Sequence, residues 1–370
     1  MKIHIFIAHM GLGGAERVCV NLANELSDRG HEVHIVTLNL DGDINTRDLA
    51  QGIEVHTLGV SRLRYSMLPM LRYVRRYRPS FMLVFGNEMA IILGKLRKLH
   101  LTDVKLAVRV LNNVNITLAK EDGISPVVEN YLRSAQKVLK DMDHIVAQCE
   151  AMGSQLIEKG LVHRDKLSVI YNPVSEALIK KTVAIRDDSS SQDDGREVVF
   201  IGRIDPQKNP WELMEIFAGV KERVAGARLR LVGDGVLRKE IEKKADELGL
   251  GDSVIFDGIR TDMEKVYANA DVVVLTSDYE GMPNCLIEAI GCGVPIVSYD
   301  CPIGPAEIVI EGVNGHLIRM GDTAAATDAI VKILSMEPDR ERIMATADKF
   351  RVGRIADRYT EIFRSLDSDK

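Results

Sequence analysis

Apolar positions come in short runs, separated by longer stretches with helical spacing. In the first half Ile3–Ile7, Val33–Thr37, Glu54–Thr57, Phe81–Val84, Lys105–Arg109, His144–Ala147 and Leu167–Ile170 read as strands. In the second half Val198–Ile201, Leu229–Val232, Val254–Phe256, Val272–Leu275, Ile296–Val297 and His316–Ile318 do so. Most are near-continuous apolar runs, as expected for parallel strands buried on both faces. Helical patterns lie between them, such as Ala15 to Arg29, Trp211 to Val224 and Leu237 to Leu248. Strand–helix alternation twice over predicts an α/β protein of two doubly wound, Rossmann-like domains facing across a cleft, with ligand at the carboxyl ends of the strands. The polar run from Asp187 to Gly195 cannot form a core and reads as linker. The expected division is a first domain over 1–173, a linker over 174–196 and a second domain over 197–350. A closing helix at about 351–370, with Ile355, Tyr359, Ile362 and Phe363 on one side, is expected to pack back on the first domain.

A length of 370 residues suits two domains. With 46% hydrophobic and 28% charged residues, disorder as a class is out. No run of 18 apolar residues occurs, so no spanning helix is expected. The opening Met1–His9 is too short and too interrupted by histidine for a secretory leader. Five cysteines, odd in number and without a C-x-x-C, speak against a disulfide framework or a zinc site and fit a reducing cytosol. Low aromatic content and a net charge of −6 speak against nucleic acid as a partner.

That charge is uneven. Through Asn172 the chain carries 22 basic and 18 acidic residues, +4; the rest carries 26 and 36, −10. The sharpest feature is Ser61–Ser80, with Arg62, Arg64, Arg72, Arg75, Arg76 and Arg78, no acid, and apolar and tyrosine residues interleaved. Such a mixture suits an anionic membrane surface, with Arg72, Arg75 and Arg76 as the candidate contacts, or else the solvated face of a crossover helix. Pro69 interrupts it, so a short helix is expected there.

Three places carry candidate chemistry. After the first strand, Gly11, Gly13 and Gly14 lead into a helix, where backbone can approach a ligand and helix amides can meet an anion. Glu16 stands where G-x-G-x-x-G needs glycine, and no acid ends the second strand, which disfavours a dinucleotide dehydrogenase. A phosphate or polar-substrate loop is the better reading, with a turn made for packing alone as the alternative. After Val199–Ile201, Gly202 ends a strand, Arg203 emerges at its carboxyl end, and Lys208 follows a turn set by Pro206. Two cations facing helix amides make a diphosphate clamp, unless they are only exposed strand-end charges. After Val272–Leu275 come Glu280, Gly281, Met282, Pro283, Asn284, Cys285, Leu286 and Glu288. Pro283 suits the first helical position, which would aim the amides around Asn284, Cys285 and Leu286 at an anion. Glu288 lies among apolar neighbours with no basic residue nearby in sequence, so ribose hydroxyls are plausible donors to it, or else an arginine from elsewhere. Glu280 is placed to accept from another hydroxylated group. A loop holding Ile259 and Arg260 offers an apolar wall for a nucleobase. Asp41-Gly42-Asp43 has the spacing of a metal-binding D-x-D but reads as a turn.

Gly202-Arg203 with Lys208, the E-x7-E frame of Glu280 and Glu288, the Gly13-Gly14 turn, Asn172-Pro173-Val174 and Gly293–Val297 together resemble the retaining glycosyltransferases of family 4, of GT-B fold, over nearly the whole chain. Gly13–Arg17 and Asp300–Ile308 look most like bacterial members that build polysaccharides, O-antigen among them, on polyprenyl-diphosphate carriers. The resemblance implies that Arg203 and Lys208 hold the diphosphate, Glu288 the ribose and Glu280 the donor sugar. Backbone of Asn284, Cys285 and Leu286 would meet phosphate and sugar, Gly13 and Gly14 donor or acceptor, and Ile259 and Arg260 the base. It implies a hexose or N-acetylhexosamine from a nucleotide-diphosphate sugar, UDP before GDP, a glycan or lipid-linked acceptor, no cofactor, no metal, and a cytoplasmic enzyme peripheral on the inner membrane. The family often has a histidine after the strand ending at Arg109; here Asn112 and Asn113 stand in that stretch as polar candidates. A nucleotide-sugar epimerase of similar build and a non-catalytic nucleotide-sugar-binding subunit are the alternatives.

Overall fold

The computed structural model describes residues 1–11, 13–40, 45–111, 137–188 and 196–368. Among these, all thirteen strands expected from the apolar runs are present, in two parallel sheets. β1 (Lys2–Phe6), β2 (Glu32–Thr37), β3 (Glu54–Thr57), β4 (Phe81–Phe85), β5 (Lys105–Arg109), β6 (His144–Ala147) and β7 (Leu167–Val169) form the first, in the order β3-β2-β1-β4-β5-β6-β7. The second contains β8 (Arg196–Ile201), β9 (Ala227–Val232), β10 (Val254–Gly258), β11 (Val272–Leu275), β12 (Ile296–Tyr299) and β13 (Gly315–Ile318), in the order β10-β9-β8-β11-β12-β13. In each sheet the winding reverses beside the first strand, between β1 and β4 and between β8 and β11. In open α/β sheets the carboxyl ends of the strands at such a reversal are where ligands bind.

The helices among the described residues are α1 (Gly14–Asp28), α2 (Met67–Tyr77), α3 (Asn87–Lys98), α4 (Glu150–Glu158), α5 (Glu176–Asp188), α6 (Pro210–Arg223), α7 (Arg238–Glu247), α8 (Met263–Asn269), α9 (Asn284–Gly291), α10 (Thr323–Leu334), α11 (Arg340–Thr346) and α12 (Val352–Ser368). Two compact units result, one of residues 1–173 with 352–370, the other of 174–351. In the first, Ile3, Ile5, Val33, Ile35, Phe81 and Leu83 pack with α1 and with Ile355, Tyr359, Ile362 and Phe363 of α12. The Phe81 and Phe363 rings stack at 4.9 Å. The opposite face of that sheet meets α2 through Tyr73, whose hydroxyl lies 2.7 Å from His4 Nδ1. In the second unit, Phe200, Leu229, Leu231 and Val274 pack under Leu213, Ile216 and Phe217 of α6 and Ile330 of α10.

Two expectations change. The stretch read as linker holds α5, and only its residues 189–195 lie outside the described ones. This helix buries little beyond Ile179 and Thr182, so its apolar signal is weak. Its anchor is Arg186, whose guanidinium donates to the carbonyls of Tyr267 (2.9 Å) and Cys292 (3.0 Å), contacts that no local pattern reveals. Pro69, for its part, does not cut its helix short. It is the third residue of α2, in the first turn, where amides have no helical acceptor to lose, and the helix runs on to Tyr77.

Candidate active site

The second unit's switch point brings two of the sequence motifs together. β8 and β11 are direct neighbours, with Val198 opposite Val272. The loop after β8 carries Gly202, Arg203 and Lys208; the loop after β11 carries Glu280 and leads into α9. Asp205 caps a short turn over Pro206–Lys208, its carboxylate accepting from the Lys208 amide. Thr276, just past β11, donates its hydroxyl to the Lys208 carbonyl at 2.9 Å, and the Asp278 amide donates to the Gln207 carbonyl at 2.9 Å. The two loops are thus bolted backbone to backbone, which fixes the side chains they carry.

Lys208 Nζ donates to Glu280 Oε1 at 2.6 Å, and both side chains are almost wholly buried. Burial works against the lysine's charge, but the Glu280 carboxylate outweighs it, and the ammonium titrates above the ordinary lysine value. Lys208 therefore stays charged, and its charge is balanced by Glu280. Arg203 differs. Its side chain is 70% exposed, tethered by Gln207 Oε1 at 3.0 Å and Asp205 at 3.1 Å. Gln207 in turn donates to the Tyr279 carbonyl at 2.9 Å, so it links Arg203 to the Glu280 loop. Burial pushes the thiols of Cys285 and Cys301 up to about 12, although Lys208 pulls both down. Both are neutral near pH 7 and are no nucleophiles.

Pro283 is the residue before α9, not its first: φ −72° and ψ 108° are extended. Its carbonyl accepts from the Leu286 amide at 3.2 Å, so that amide is engaged inside the helix, and Asn284 and Cys285 hold the opening positions. Met282 is buried, and Gly304, at φ +97°, packs its backbone on this turn. A Cβ on Gly304 would stand 2.7 Å from the Gly281 carbonyl oxygen, so the segment around Ile303 lies directly against the start of α9. Glu288 is buried, and its Oε2 accepts from the Tyr267 hydroxyl at 2.8 Å. Tyr267, on α8, answers the question of what that carboxylate meets, and nothing in the local sequence pointed to it.

At the far edge, Ile259 is 63% exposed, while Arg260 forms a two-toothed pair with Asp262 at 2.7 and 2.8 Å and reaches Asp257 at 3.2 Å. The Arg260 guanidinium holds the Asp262 carboxyl down to about 2. Gly233 draws the strand ends together. At φ +136° it donates to the Gly258 carbonyl at 2.8 Å, and a Cβ there would lie 1.9 Å from the Gly202 carbonyl oxygen.

The remaining candidates fall in the first unit. Gly13 precedes α1, and Gly14 opens it. The space a Gly13 side chain would fill is held by the Glu16 carboxylate, folded back to within 2.2 Å of that position. Asn112, Asn113 and Asp41–Asp43 lie outside the described residues. Arg109 is buried, donating to the Ile170 carbonyl at 3.1 Å, to the Tyr359 hydroxyl and to Asn172 Oδ1. It ties β5 to α12 and is a structural cation. On α2, Arg72, Arg75 and Arg76 are exposed, with Tyr65 and Leu68 exposed nearby at 59% and 56%. Met70, Tyr73 and Val74 are buried, so the basic patch is less apolar than its sequence. Among the described residues no helix is long and apolar enough to cross a membrane.

Residues 12–178 match the family model described as Glycosyltransferase Family 4, and residues 182–350 match that of Glycosyl transferases group 1. Between them the two models take in all but residues 1–11, 179–181 and 351–370 of the chain, which belongs to the glycosyltransferases of GT-B fold. The lipopolysaccharide 1,6-galactosyltransferase of Escherichia coli is 29% identical over 235 residues, 60% of this chain and 62% of that one. The N-acetyl-alpha-D-glucosaminyl L-malate synthase of Bacillus anthracis is 24% identical over 98% of this chain and 97% of its own. A Campylobacter jejuni alpha-1,4-N-acetyl-D-galactosaminyltransferase, named for an undecaprenol-diphosphate-linked glycan, is 26% identical over 99% of both. The crystal structure of Anabaena HepE in complex with UDP-glucose superposes with a TM-score of 0.81 at 20% identity, over 99% of this chain and 100% of that one.

Proposed function

We propose that the chain transfers a hexose or N-acetylhexosamine from a nucleotide-diphosphate sugar, UDP before GDP, to a polyprenyl-diphosphate-linked glycan in bacterial surface-polysaccharide or lipopolysaccharide assembly. The transfer retains the anomeric configuration and needs no metal at the diphosphate. The observation that carries this reading is the buried Lys208–Glu280 pair beside Arg203 and the start of α9. As the bond from the anomeric carbon to the diphosphate oxygen breaks, negative charge grows on the phosphates. Arg203 supplies exposed guanidinium donors, Lys208 supplies ammonium donors held in place by Glu280, and the start of α9 adds the positive end of a helix dipole. Each helps the departing group more than the ground state. The acceptor oxygen attacks on the same face, and its proton passes to the departing phosphate oxygen. The second Glu280 oxygen takes a sugar hydroxyl, Glu288 the ribose, and Ile259 with Arg260 the base. The Campylobacter relative's name supports a lipid-linked acceptor, and the exposed arginines of α2 support a place on the cytoplasmic membrane face.

The test supplies UDP- and GDP-sugars with a lipid-linked glycan acceptor and follows nucleotide release and the product's anomeric linkage. Arg203→Ala and Lys208→Ala are each expected to cut donor turnover more than tenfold, and added Mg2+ or Mn2+ to leave the rate unchanged. A smaller fall in both variants removes the clamp; inversion of the anomeric centre removes the retaining step. Replacing Arg72, Arg75 and Arg76 by glutamine is expected to weaken binding to anionic vesicles about 100-fold, at about 1 kcal/mol per arginine. Unchanged vesicle binding removes the membrane site.

A further inference from the structure

On the α2 side of the first sheet, three strands place imidazoles beside one another. His4 on β1 is opposite His34 on β2, and His34 is opposite Glu54 on β3. His56 follows Glu54 by two residues and so shares its face. The His4 and His34 rings stack at 4.7 Å. Three ligand atoms then converge from two strands. His34 Nδ1 lies 3.0 Å from His56 Nε2, Glu54 Oε2 lies 3.3 Å from the former and 3.2 Å from the latter.

The hydrogen-bond partners behind these atoms decide what belongs among them. His34 Nε2 lies 2.8 Å from Glu32 Oε1. A carboxylate only accepts, so the His34 proton sits on Nε2 and Nδ1 presents a lone pair. His56 Nδ1 lies 3.4 Å from the Tyr77 hydroxyl, which can accept a hydrogen bond from that nitrogen; in that tautomer the Nε2 lone pair turns toward the other two. In these tautomers two imidazole lone pairs and a carboxylate oxygen face one another. A single proton answers one such contact; a cation answers all three.

The size is right for one. Zinc–nitrogen and zinc–oxygen bonds of about 2.0–2.2 Å put neighbouring ligands of a tetrahedron about 3.3–3.5 Å apart. The observed triangle is smaller by only a few tenths of an ångström, a change within the reach of side-chain rotation. His34 is buried, which shields the site, and Glu54 is 59% exposed, which leaves an entry path and a fourth position for water. Each histidine also has an outer partner, Glu32 or Tyr77, of the kind that fixes ring orientation in metal sites. The odd cysteine count speaks only to thiolate sites and is silent on this one.

We propose that His34, Glu54 and His56 bind one divalent transition-metal ion of the zinc class. The ion fastens β3, a four-residue edge strand, to β2, and through Tyr77 it steadies α2, the helix that carries the exposed arginines. It stands apart from Arg203, Lys208, Glu280 and Glu288, which belong to the other unit. The test strips tag-free, full-length protein with a chelator and titrates it with Zn2+ by calorimetry and with Co2+ by visible absorption. One equivalent is expected, with a rise in Tm and the intensified bands of tetrahedral Co2+. Glu54→Gln and His56→Gln are each expected to weaken Zn2+ binding at least tenfold, against an unchanged affinity in His163→Gln, an exposed histidine elsewhere. Because Glu54 is exposed, Glu54→Gln is expected to keep the Tm of the stripped wild type, which separates lost binding from lost folding. Zn2+ affinity unchanged in both site variants, or a wild-type chain that takes up no equivalent, overturns the proposal.

Discussion

Replacing Lys208 by methionine keeps most of its stem and removes its charge, leaving the Glu280 carboxylate buried without its cation. The two charges lie 2.6 Å apart. At an effective dielectric constant of about 20 their attraction is about 6 kcal/mol. Desolvation takes back several kcal/mol for each ion, so the intact pair adds little net stability, whereas breaking it costs about 3–5 kcal/mol. Lys208→Met is expected to lose that amount in the transition of the second unit, read by urea denaturation with an unchanged m-value. Glu280→Gln is expected to be destabilising as well, and Lys208→Met/Glu280→Gln to be destabilised by at least about 1 kcal/mol less than the sum of the singles, because the double variant leaves no unpaired charge. Donor turnover should follow a different pattern. It falls more than tenfold in Lys208→Met and stays low in the double variant, since stability returns but the ammonium donors do not. A single variant that loses less than about 1 kcal/mol, or a strictly additive double, refutes the reasoning that the pair is desolvated and coupled.

The same pair makes a pH signature. Lys208 titrates above the ordinary lysine value, so its contribution is whole below about 10.4, the unfolded value, and is lost as pH rises through the higher folded one; unfolding curves should show an alkaline decline in wild type that Lys208→Met lacks. Tyr267→Phe deletes the hydroxyl that donates to Glu288 Oε2 at 2.8 Å and is expected to cost about 1.5–3 kcal/mol, with KM for the donor raised more than kcat is lowered; steady-state kinetics on folded variant checks it. Gly233→Ala drives a Cβ against the Gly202 carbonyl from a backbone at φ +136°, and a loss of about 2–4 kcal/mol in thermal or urea unfolding is expected.

Most strands were legible because parallel strands buried on both faces must be apolar nearly throughout; β3, with Glu54 and His56 among its four residues, is the weakest of them. Their ends were less so. β8 begins at Arg196 and Glu197, charged residues whose place in a sheet makes sense only once Arg230, a neighbour on β9, accounts for Glu197 with bonds of 2.8 and 2.9 Å. That Arg203, Lys208 and Glu280 stand beyond the carboxyl ends of β8 and β11 was also legible, since each follows an apolar run. That Lys208 and Glu280 would satisfy each other was not, because it depends on loop backbones joined through Thr276 and Asp278. Tyr267 and the histidines of β1, β2 and β3 lay further from reach. Their partners come from registers and helix positions that become neighbours only in three dimensions, and each residue alone looks like ordinary core or ordinary surface.

Because α12 completes the core of the first unit, that unit is assembled from the two ends of the chain. A ribosome releases residues 1–173 first, and then must make the 178 residues from Val174 to Arg351 before Tyr359 and Phe363 emerge. At about 5–20 residues per second, the apolar face that awaits them stays bare for on the order of 10–40 s. The half of the molecule that is translated earliest is thus the last to be finished, and during that wait it is a natural client for a chaperone.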